Sequence, residues 1–287
     1  MSPAVVQIVC ADGVVIDATV FPAEKPVAVV VINCATSTSA RYYRRYAEFL
    51  CENDITAITW DCRDIGESRR GSLRGSRTRW RTWGEVDFDA VLGWVRDRYP
   101  SLPIMVVGHS WGGFMVGFAP NSVAVTRILT VGAQHAYWPD YIRSRRVSML
   151  IKWHLVMPAV TALVGYFPGK RLGWLEDTPA RVVYGWAFSR SDFTAWFRDA
   201  ADVRARFAAV AAPIRAYGTT DDEFGTPAAI VRGLAPYVGA RRERIELVPS
   251  ELGYESIGHF GLFHSRHRDD FWVQTLEWLT SGMPRRP

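Results

Sequence analysis

The chain has 287 residues, of which 48% are hydrophobic and 22% are charged, with a formal net charge of +5. This balance is typical of a globular protein and excludes a disordered chain. Its four cysteines all lie between Cys10 and Cys62, without the spacing of a zinc site or a disulfide framework. We therefore predict no bound metal. The amino terminus lacks the features of a secretion signal, which predicts a cytoplasmic location.

Short apolar runs alternate with segments of helical periodicity along most of the chain. The first two runs flank Asp12 and Gly13, a pair that favours a tight β-hairpin turn. Up to residue 134, the predicted strands are Val5–Cys10, Val14–Phe21, Val27–Cys34, Ile55–Asp61, Ile104–Gly108 and Arg127–Gln134. The predicted helices in this part are Arg41–Cys51, Trp83–Arg98 and Gly112–Ala119.

The alternation stops after residue 134 and resumes at Pro213. The intervening segment 135–212 shows no convincing strand and carries five of the twelve tryptophans. After it, the predicted elements are strand Pro213–Thr219, helix Thr226–Val238, strand Arg244–Val248 and a final helix from about Arg268 to Leu279. This order predicts an α/β fold with a mostly parallel central sheet and helices on both faces. We expect residues 1–134 and 213–287 to form one core, interrupted by a helical insertion at 135–212.

One stretch of the insertion, Ser148–Phe167, is long and apolar enough to be considered as a membrane span. It contains Lys152, His154 and Pro158, which disfavour a spanning helix. The sequence therefore predicts a buried helix of the insertion and no stable membrane span. Contact with a membrane surface stays open as an alternative.

The clearest functional signal is Gly108-His109-Ser110-Trp111-Gly112, a G-x-S-x-G run placed where a predicted strand ends and a helix begins. A serine hydroxyl is a weak nucleophile unless it is exposed, held rigidly and hydrogen-bonded to a base. A tight strand-to-helix turn would present Ser110 in this way, and its flanking positions must be small, as Gly108 and Gly112 are. Because the helix starts there, the amide of Trp111 is predicted to stabilise a developing oxyanion.

This run, the sequence DCRDIGES after the preceding strand, and a late aspartate and histidine resemble the α/β-hydrolase superfamily over the whole chain. The resemblance implies an α/β-hydrolase fold in which segment 135–212 is an aromatic-rich helical cap. It also implies a nucleophile, an acid and a base in the chain order Ser, Asp, His. His259 occupies the position of the base, on a loop before the last helix.

The resemblance places the acid after strand Pro213–Thr219, where two aspartates are adjacent. Counting from Gly218 favours Asp221, whereas the run Asp222-Glu223-Phe224 matches the family pattern of an aspartate, any residue and an apolar residue. We prefer Asp222 and keep Asp221 as the alternative. A buried carboxylate at this position would orient His259 and stabilise its cationic form.

The resemblance places the second oxyanion donor in the turn after Val27–Cys34. The family often has His-Gly there, whereas this chain has Asn33-Cys34 followed by Ala35 and Thr36. A backbone amide needs no particular side chain, so either of the last two residues can serve, and we predict Ala35. No phosphate-binding glycine loop or dinucleotide fingerprint accompanies the site, so no cofactor is predicted.

Residues 63–81 hold seven arginines against Asp64 and Glu67. The segment is predicted to be either a solvated loop or a contact for an anionic substrate or carrier, since it follows the carboxyl end of a strand. Nucleic acid is not a predicted partner, because no recognition module accompanies the charge.

The sequence thus predicts a serine esterase or thioesterase. It would cleave a small ester or thioester with a hydrophobic acyl part through an acyl-enzyme intermediate, with catalytic residues Ser110, His259 and Asp222 or Asp221. Two alternatives stay open. One is an acyltransferase with the same triad, and the other is a non-catalytic, ligand-binding member of the fold.

Overall fold

A computed structural model describes residues 2–283 of the chain. Its strands are β1 (Ala4–Val9), β2 (Val15–Phe21), β3 (Ala28–Asn33), β4 (Ile55–Trp60), β5 (Ile104–His109), β6 (Val125–Val131), β7 (Tyr166–Phe167), β8 (Thr178–Pro179), β9 (Ile214–Thr219) and β10 (Arg242–Leu247). Eight of them form one sheet in the order β1-β2-β4-β3-β5-β6-β9-β10. β2 pairs antiparallel with β1 and β4, and the remaining neighbours are parallel. The mostly parallel sheet predicted from the sequence is confirmed.

Helices follow most of the strands. They are α1 (Arg44–Glu52), α2 (Trp80–Thr82), α3 (Asp89–Arg98), α4 (Trp111–Phe114), α5 (Arg146–Met149), α6 (Met157–Val164), α7 (Gly169–Leu172), α8 (Ala180–Ala187), α9 (Ala200–Ala209), α10 (Pro227–Leu234) and α11 (Val273–Thr280). Short π-helical segments precede α3 and α11, at Trp83–Phe88 and Arg268–Trp272, and a third, Leu150–Val156, joins α5 to α6.

The side chains of the central strand β3 alternate between two hydrophobic cores, one on each face of the sheet. Val29 and Val31 pack in a core that includes residues of α3 and α4. Val30 and Ile32 pack in a second core with residues of α1 and α11. All six residues of β3 are buried, as expected for a parallel strand that helices cover on both sides.

Several element boundaries differ from those predicted. β6 ends at Val131, before the predicted Gln134, because Gly132 has a positive φ of 56° and turns the chain out of the extended conformation. α10 ends at Leu234, before the predicted Val238, and Pro236 has no amide hydrogen with which to continue the helix. The two-residue strands β7 and β8 pair antiparallel within segment 135–212, where no strand was predicted.

Segment 135–212 leaves the sheet after β6 and returns to it at β9. Its longest helix, Arg146–Val164, has 19 residues and is long and apolar enough to cross a membrane, with 33% of its most apolar window buried. Trp153 and Met157 on one side are buried, whereas Ile151 and Leu163 are exposed. The predicted burial of this helix is therefore limited to one side. The absence of a stable span stays a prediction.

Candidate active site

Ser110 lies in the turn between β5 and α4, with φ 55° and ψ −125°, a conformation that residues with a side chain rarely adopt. The chain folds tightly around it. A Cβ atom on Gly108 would overlap the backbone of Gly113, and one on Gly112 would overlap the carbonyl oxygens of Asn33 and Cys34. The turn therefore depends on glycine at both positions, as predicted from their size.

Asn33, at the end of β3, holds this turn from the neighbouring strand. Its side chain is fully buried; its Nδ2 donates to the carbonyl oxygen of Gly112 at 3.1 Å, and its Oδ1 accepts from Trp60 Nε1 at 3.0 Å. Sequence reasoning identified Asn33 only as a departure from the family pattern. The side-chain amide of asparagine can both donate and accept, as the Gly112 carbonyl and the Trp60 indole require.

His259 and Asp222 form a buried pair next to this turn. The His259 Nδ1 is 2.8 Å from Asp222 Oδ2, and Asp222 Oδ1 accepts from the amides of Phe224 at 2.8 Å and Gly225 at 2.7 Å. Burial opposes ionisation of Asp222, but His259 and the two amides outweigh it and lower the pKa of this carboxyl below its usual range. Asp222 is therefore an anion at neutral pH.

Asp221 does not contact the imidazole of His259. Its Oδ2 accepts from the backbone amides of Ile257 at 2.8 Å and Gly258 at 3.0 Å, the two residues that precede His259. The two adjacent aspartates thus have separate contacts. Asp222 bonds to the imidazole, and Asp221 holds the loop that carries it.

The Asp222–His259 pair leaves no room for a side chain at position 132, where the chain has a glycine. A Cβ atom there would lie 2.8 Å from Asp222 Oδ2 and 3.0 Å from the His259 ring. The positive φ that ends β6 therefore occurs where the Asp222–His259 pair comes closest to the backbone. Sequence reasoning did not single out this glycine, because nothing local in the sequence links it to residues about 90 and 130 positions away.

Ser110 and His259 line the same cavity, which has a volume of about 150 Å³. Gln134 lies beside the serine, with its Nε2 3.5 Å from Ser110 Oγ, and its Oε1 accepts from the backbone amide of Ala136. Half of the other residues that line it are aromatic: Trp80, Trp153, Trp174, Trp186, Phe224 and Phe260. The serine thus faces an apolar space of limited size.

The two predicted oxyanion donors differ in availability. The amide of Trp111 is the first of α4, and the first amides of a helix have no partner within it. The amide of Ala35 instead donates to the Tyr43 hydroxyl at 2.9 Å. The structure therefore does not support Ala35 as the second donor, because its hydrogen already has a buried acceptor. Thr36, the alternative, lines the same cavity.

A chain of hydrogen bonds connects this turn to the loop of His259. His109 Nε2 is 2.8 Å from the carbonyl oxygen of His259, and His109 Nδ1 is 2.7 Å from the Tyr43 hydroxyl. A carbonyl only accepts, so Nε2 carries the hydrogen and the Tyr43 hydroxyl donates to Nδ1. Burial, assisted by His259, lowers the pKa of His109 to about 3, so this histidine is neutral. Its side chain is fully buried beneath the turn.

A second, larger cavity of about 970 Å³ adjoins the first, and Trp80 lines both. The Trp80 indole stacks on that of Trp111, with ring centroids 3.8 Å apart and an interplanar angle of 16°. Its Nε1 donates to Thr36 Oγ1 at 3.0 Å. The stacked indoles therefore lie between the serine cavity and the larger one.

Four of the seven arginines of segment 63–81 form ion pairs with carboxylates of the same chain. Arg63 is buried between Asp12 and Asp87, while Arg69 bonds to Asp177 at 2.9 Å and Arg70 to Asp17 at 2.5 Å. Arg81 bonds to Glu85 and Asp199. Within residues 2–283, the arginines of this segment without a carboxylate partner are Arg74, Arg77 and Arg79.

Comparison with known proteins agrees with this geometry. The sheet order and the serine turn are those of an α/β-hydrolase, and residues 24–248 match the family described as serine aminopeptidase, S33. The chain belongs to this hydrolase family. No curated protein matches it in sequence. In the part of the chain that the structure describes, no cluster of three or more histidine, cysteine, aspartate or glutamate residues could hold a metal ion.

Solved structures with the same fold include several hydrolases. A soluble variant of monoglyceride lipase from Saccharomyces cerevisiae has a TM-score of 0.70 at 13% identity, covering 100% of this chain and 97% of that one. The α/β hydrolase GrgF from Penicillium sp. sh18 has a TM-score of 0.65 at 16% identity and covers 99% of both chains. The Pyrococcus furiosus esterase Pf2001 has a TM-score of 0.64 at 15% identity, covering 99% of this chain and 91% of that one. These similarities show the fold.

The contacts of Tyr43 give a prediction about stability. Tyr43→Phe removes the acceptor of the Ala35 amide and the donor to His109 Nδ1, both of which are buried. We expect the free energy of unfolding, measured by urea denaturation, to fall by about 1–3 kcal/mol. Tyr42→Phe is the matched control, since its hydroxyl bonds to the Phe260 carbonyl near the surface. Equal losses in the two variants would contradict this account.

Proposed function

We propose that this protein is a serine hydrolase that cleaves a carboxylic ester or thioester with a hydrophobic acyl group through an acyl-enzyme intermediate. The observation that carries the proposal is the 2.8 Å bond between Asp222 and His259 in a cavity that Ser110 also lines. Serine, imidazole and carboxylate in this combination are the groups that acyl transfer to a serine requires.

In this proposal, Ser110 Oγ attacks the carbonyl carbon of the substrate while His259 Nε2 accepts the hydroxyl proton. Asp222 accepts a hydrogen bond from His259 Nδ1, which fixes the tautomer and stabilises the imidazolium. The tetrahedral intermediate then expels the alcohol or thiol, which takes the proton from His259. A water molecule attacks the resulting acyl-enzyme, with His259 as base, and releases the carboxylic acid and free Ser110.

Backbone amides would stabilise the negative charge that develops on the carbonyl oxygen. We propose the amides of Trp111 and Thr36, since that of Ala35 donates to Tyr43. Two such donors, fixed before the reaction, need no reorganisation when the charge appears. The Trp80 indole bonds to the Thr36 hydroxyl and so supports the position of that turn.

The cavity walls favour an apolar acyl group over a peptide with a free amino terminus. An aminopeptidase must hold a substrate ammonium group, for which a carboxylate is the usual partner. The residues that line the serine cavity include Lys152 and no aspartate or glutamate. Its tryptophans instead offer apolar surface to a chain or ring. This observation favours esters and thioesters within a family described as aminopeptidases.

Two further assignments are part of the proposal. Segment 135–212 would act as the cap, since it contributes Trp153, Trp174 and Trp186 to the wall around Ser110. A cytoplasmic location is supported by the four cysteines, which are all free in the structure. Free buried thiols are typical of proteins in a reducing compartment.

Replacement of the proposed nucleophile gives the first test. Ser110→Ala should lower kcat for p-nitrophenyl esters by about 10⁴-fold or more, because the nucleophile is lost while the fold is kept. Hydrolysis rates are compared in protein whose urea unfolding curve matches that of the wild type. Activity within tenfold of wild type would contradict the assignment of Ser110, and a wild type inactive on every ester would favour a ligand-binding protein.

The adjacent aspartates offer a matched pair of variants for the second test. Asp222→Asn should lower kcat by about 10³–10⁴-fold, because an amide at this position no longer fixes the productive tautomer of His259. Asp221→Asn keeps an oxygen that can accept from the amides of Ile257 and Gly258, and this residue does not bond to the imidazole, so we expect a much smaller loss of kcat. Equal small effects would place the catalytic acid elsewhere.

A further inference from the structure

The proposed mechanism makes no use of the cavity of about 970 Å³ that adjoins the serine cavity. It is several times the volume of the serine cavity, at about 150 Å³. Its apolar wall is built by aromatic side chains from the core and from segment 135–212: Trp80, Trp111, Phe118, Phe193, Trp196 and Phe197. Such a wall fits a ring or an alkyl chain.

The charged residues that line this cavity are mostly arginines. Arg81 is one of five, and it is already bonded to Glu85 and Asp199, the two carboxylates of the lining. The other four are exposed and, within residues 2–283, lie beyond ion-pair distance of any carboxylate: Arg79, Arg181, Arg190 and Arg198. Five arginines against two carboxylates leave an excess of three positive charges around an aromatic floor.

Two further side chains that line the cavity, Trp111 and His135, indicate which ligand groups it could bind. The indole Nε1 of Trp111 is buried and has no hydrogen-bond partner among the described residues, so it is a donor without an acceptor. His135 adds no charge, because burial lowers its pKa to about 4. The polar groups of the cavity are therefore mainly donors and permanent cations, which suit a ligand with acceptor oxygens.

Several lining residues also connect the cavity to the reaction site. Trp80 lines both cavities, and Trp111 contributes its side chain to the larger cavity while its amide lies at the serine turn. Gln134, which lies beside Ser110 Oγ, is next in sequence to His135, which lines the larger cavity. A ligand in the larger cavity would thus contact residues that also shape the surroundings of the serine.

We propose that the larger cavity is a subsite for the anionic end of the substrate, a carboxylate or phosphate carried on an apolar body. The apolar body would lie on the aromatic wall, and the anion would bond to the exposed arginines, whose planar groups match the geometry of both anions. This inference rests on the proposed function in one respect: that function places the reacting ester group of the same substrate at Ser110. The binding of an anion to the cavity is measurable without turnover.

Calorimetric titration of Ser110→Ala protein tests binding directly, since this variant lacks the nucleophile and none of the ligands used is a carboxylic ester. At 0.15 M salt, 4-phenylbutyrate should bind about tenfold or more tightly than 4-phenylbutanamide, which has the same body and no charge. Phenyl phosphate, compared with phenol, distinguishes phosphate from carboxylate as the preferred anion. Equal affinities for the charged and neutral members of both pairs would overturn the proposal.

Variants then locate the site. Arg181→Gln combined with Arg198→Gln should reduce the preference for the anion to within about threefold, because both residues line the cavity without a carboxylate partner. Arg143→Gln is the matched control, an exposed arginine of the same segment that is not among the lining residues. An unchanged preference in the double variant, with an unchanged melting temperature, would show that the anion binds elsewhere and overturn the proposal.

Inhibition of the wild type tests the connection to the reaction. 4-Phenylbutyrate should compete with a neutral p-nitrophenyl ester whose acyl chain is long enough to enter the larger cavity, raising the apparent KM and leaving kcat unchanged, because both would occupy the same aromatic wall. A lowered kcat at unchanged KM would indicate a separate site and contradict the subsite. Should the ester not be hydrolysed through Ser110 at all, the proposed function fails, and the titrations still decide whether the cavity binds anions.

Discussion

The backbone conformation of Ser110 is the constraint on which the rest of the site depends. A positive φ at a residue with a side chain costs free energy and persists only where the surrounding structure enforces it. Here it is enforced by close packing: Gly112 lies against the carbonyl oxygens of Asn33 and Cys34 at the end of β3, and the Asn33 side chain donates to the Gly112 carbonyl. The sheet therefore acts as the rigid frame that exposes one serine hydroxyl to the cavity.

Hydrogen bonds from distant segments of the chain hold the loop that carries His259 against the serine turn. Ala35, Tyr43, His109 and the carbonyl of His259 form one continuous buried chain. On the other side of the imidazole, Asp222 bonds to its ring and Asp221 holds the preceding backbone. His259 is thus fixed through both its side chain and its main chain, which is what a base that must be aligned within a few tenths of an ångström requires.

Much of this arrangement could be predicted from local sequence signals. Strand and helix periodicity predicted the sheet, and the G-x-S-x-G run predicted the turn at Ser110, because both depend on residues close together in the chain. The resemblance to α/β-hydrolases led to His259 and to the two adjacent aspartates. A side-chain contact with His259, which only the structure shows, then distinguishes Asp222 from Asp221.

The features that sequence reasoning missed involve contacts between distant residues. The amide of Ala35 is occupied because it donates to Tyr43, which the sequence placed only within the predicted helix Arg41–Cys51. The role of Gly132 depends on packing against Asp222 and His259. The sequence also did not show which arginines of segment 63–81 are paired, since four of the seven bond to carboxylates, some of them far away in the sequence, such as Asp177 and Asp199. Pairing of this kind leaves no local signal.

The central claim is that Ser110 is the reactive nucleophile of an acyl transfer. Its most direct test is to react the folded protein with a fluorophosphonate and to identify the modified residue by mass spectrometry of peptides. The account predicts a single adduct on Ser110, with labelling strongly reduced in Asp222→Asn protein because His259 then loses its orientation. An adduct on another residue, or an unmodified Ser110 in protein that hydrolyses esters, would contradict it.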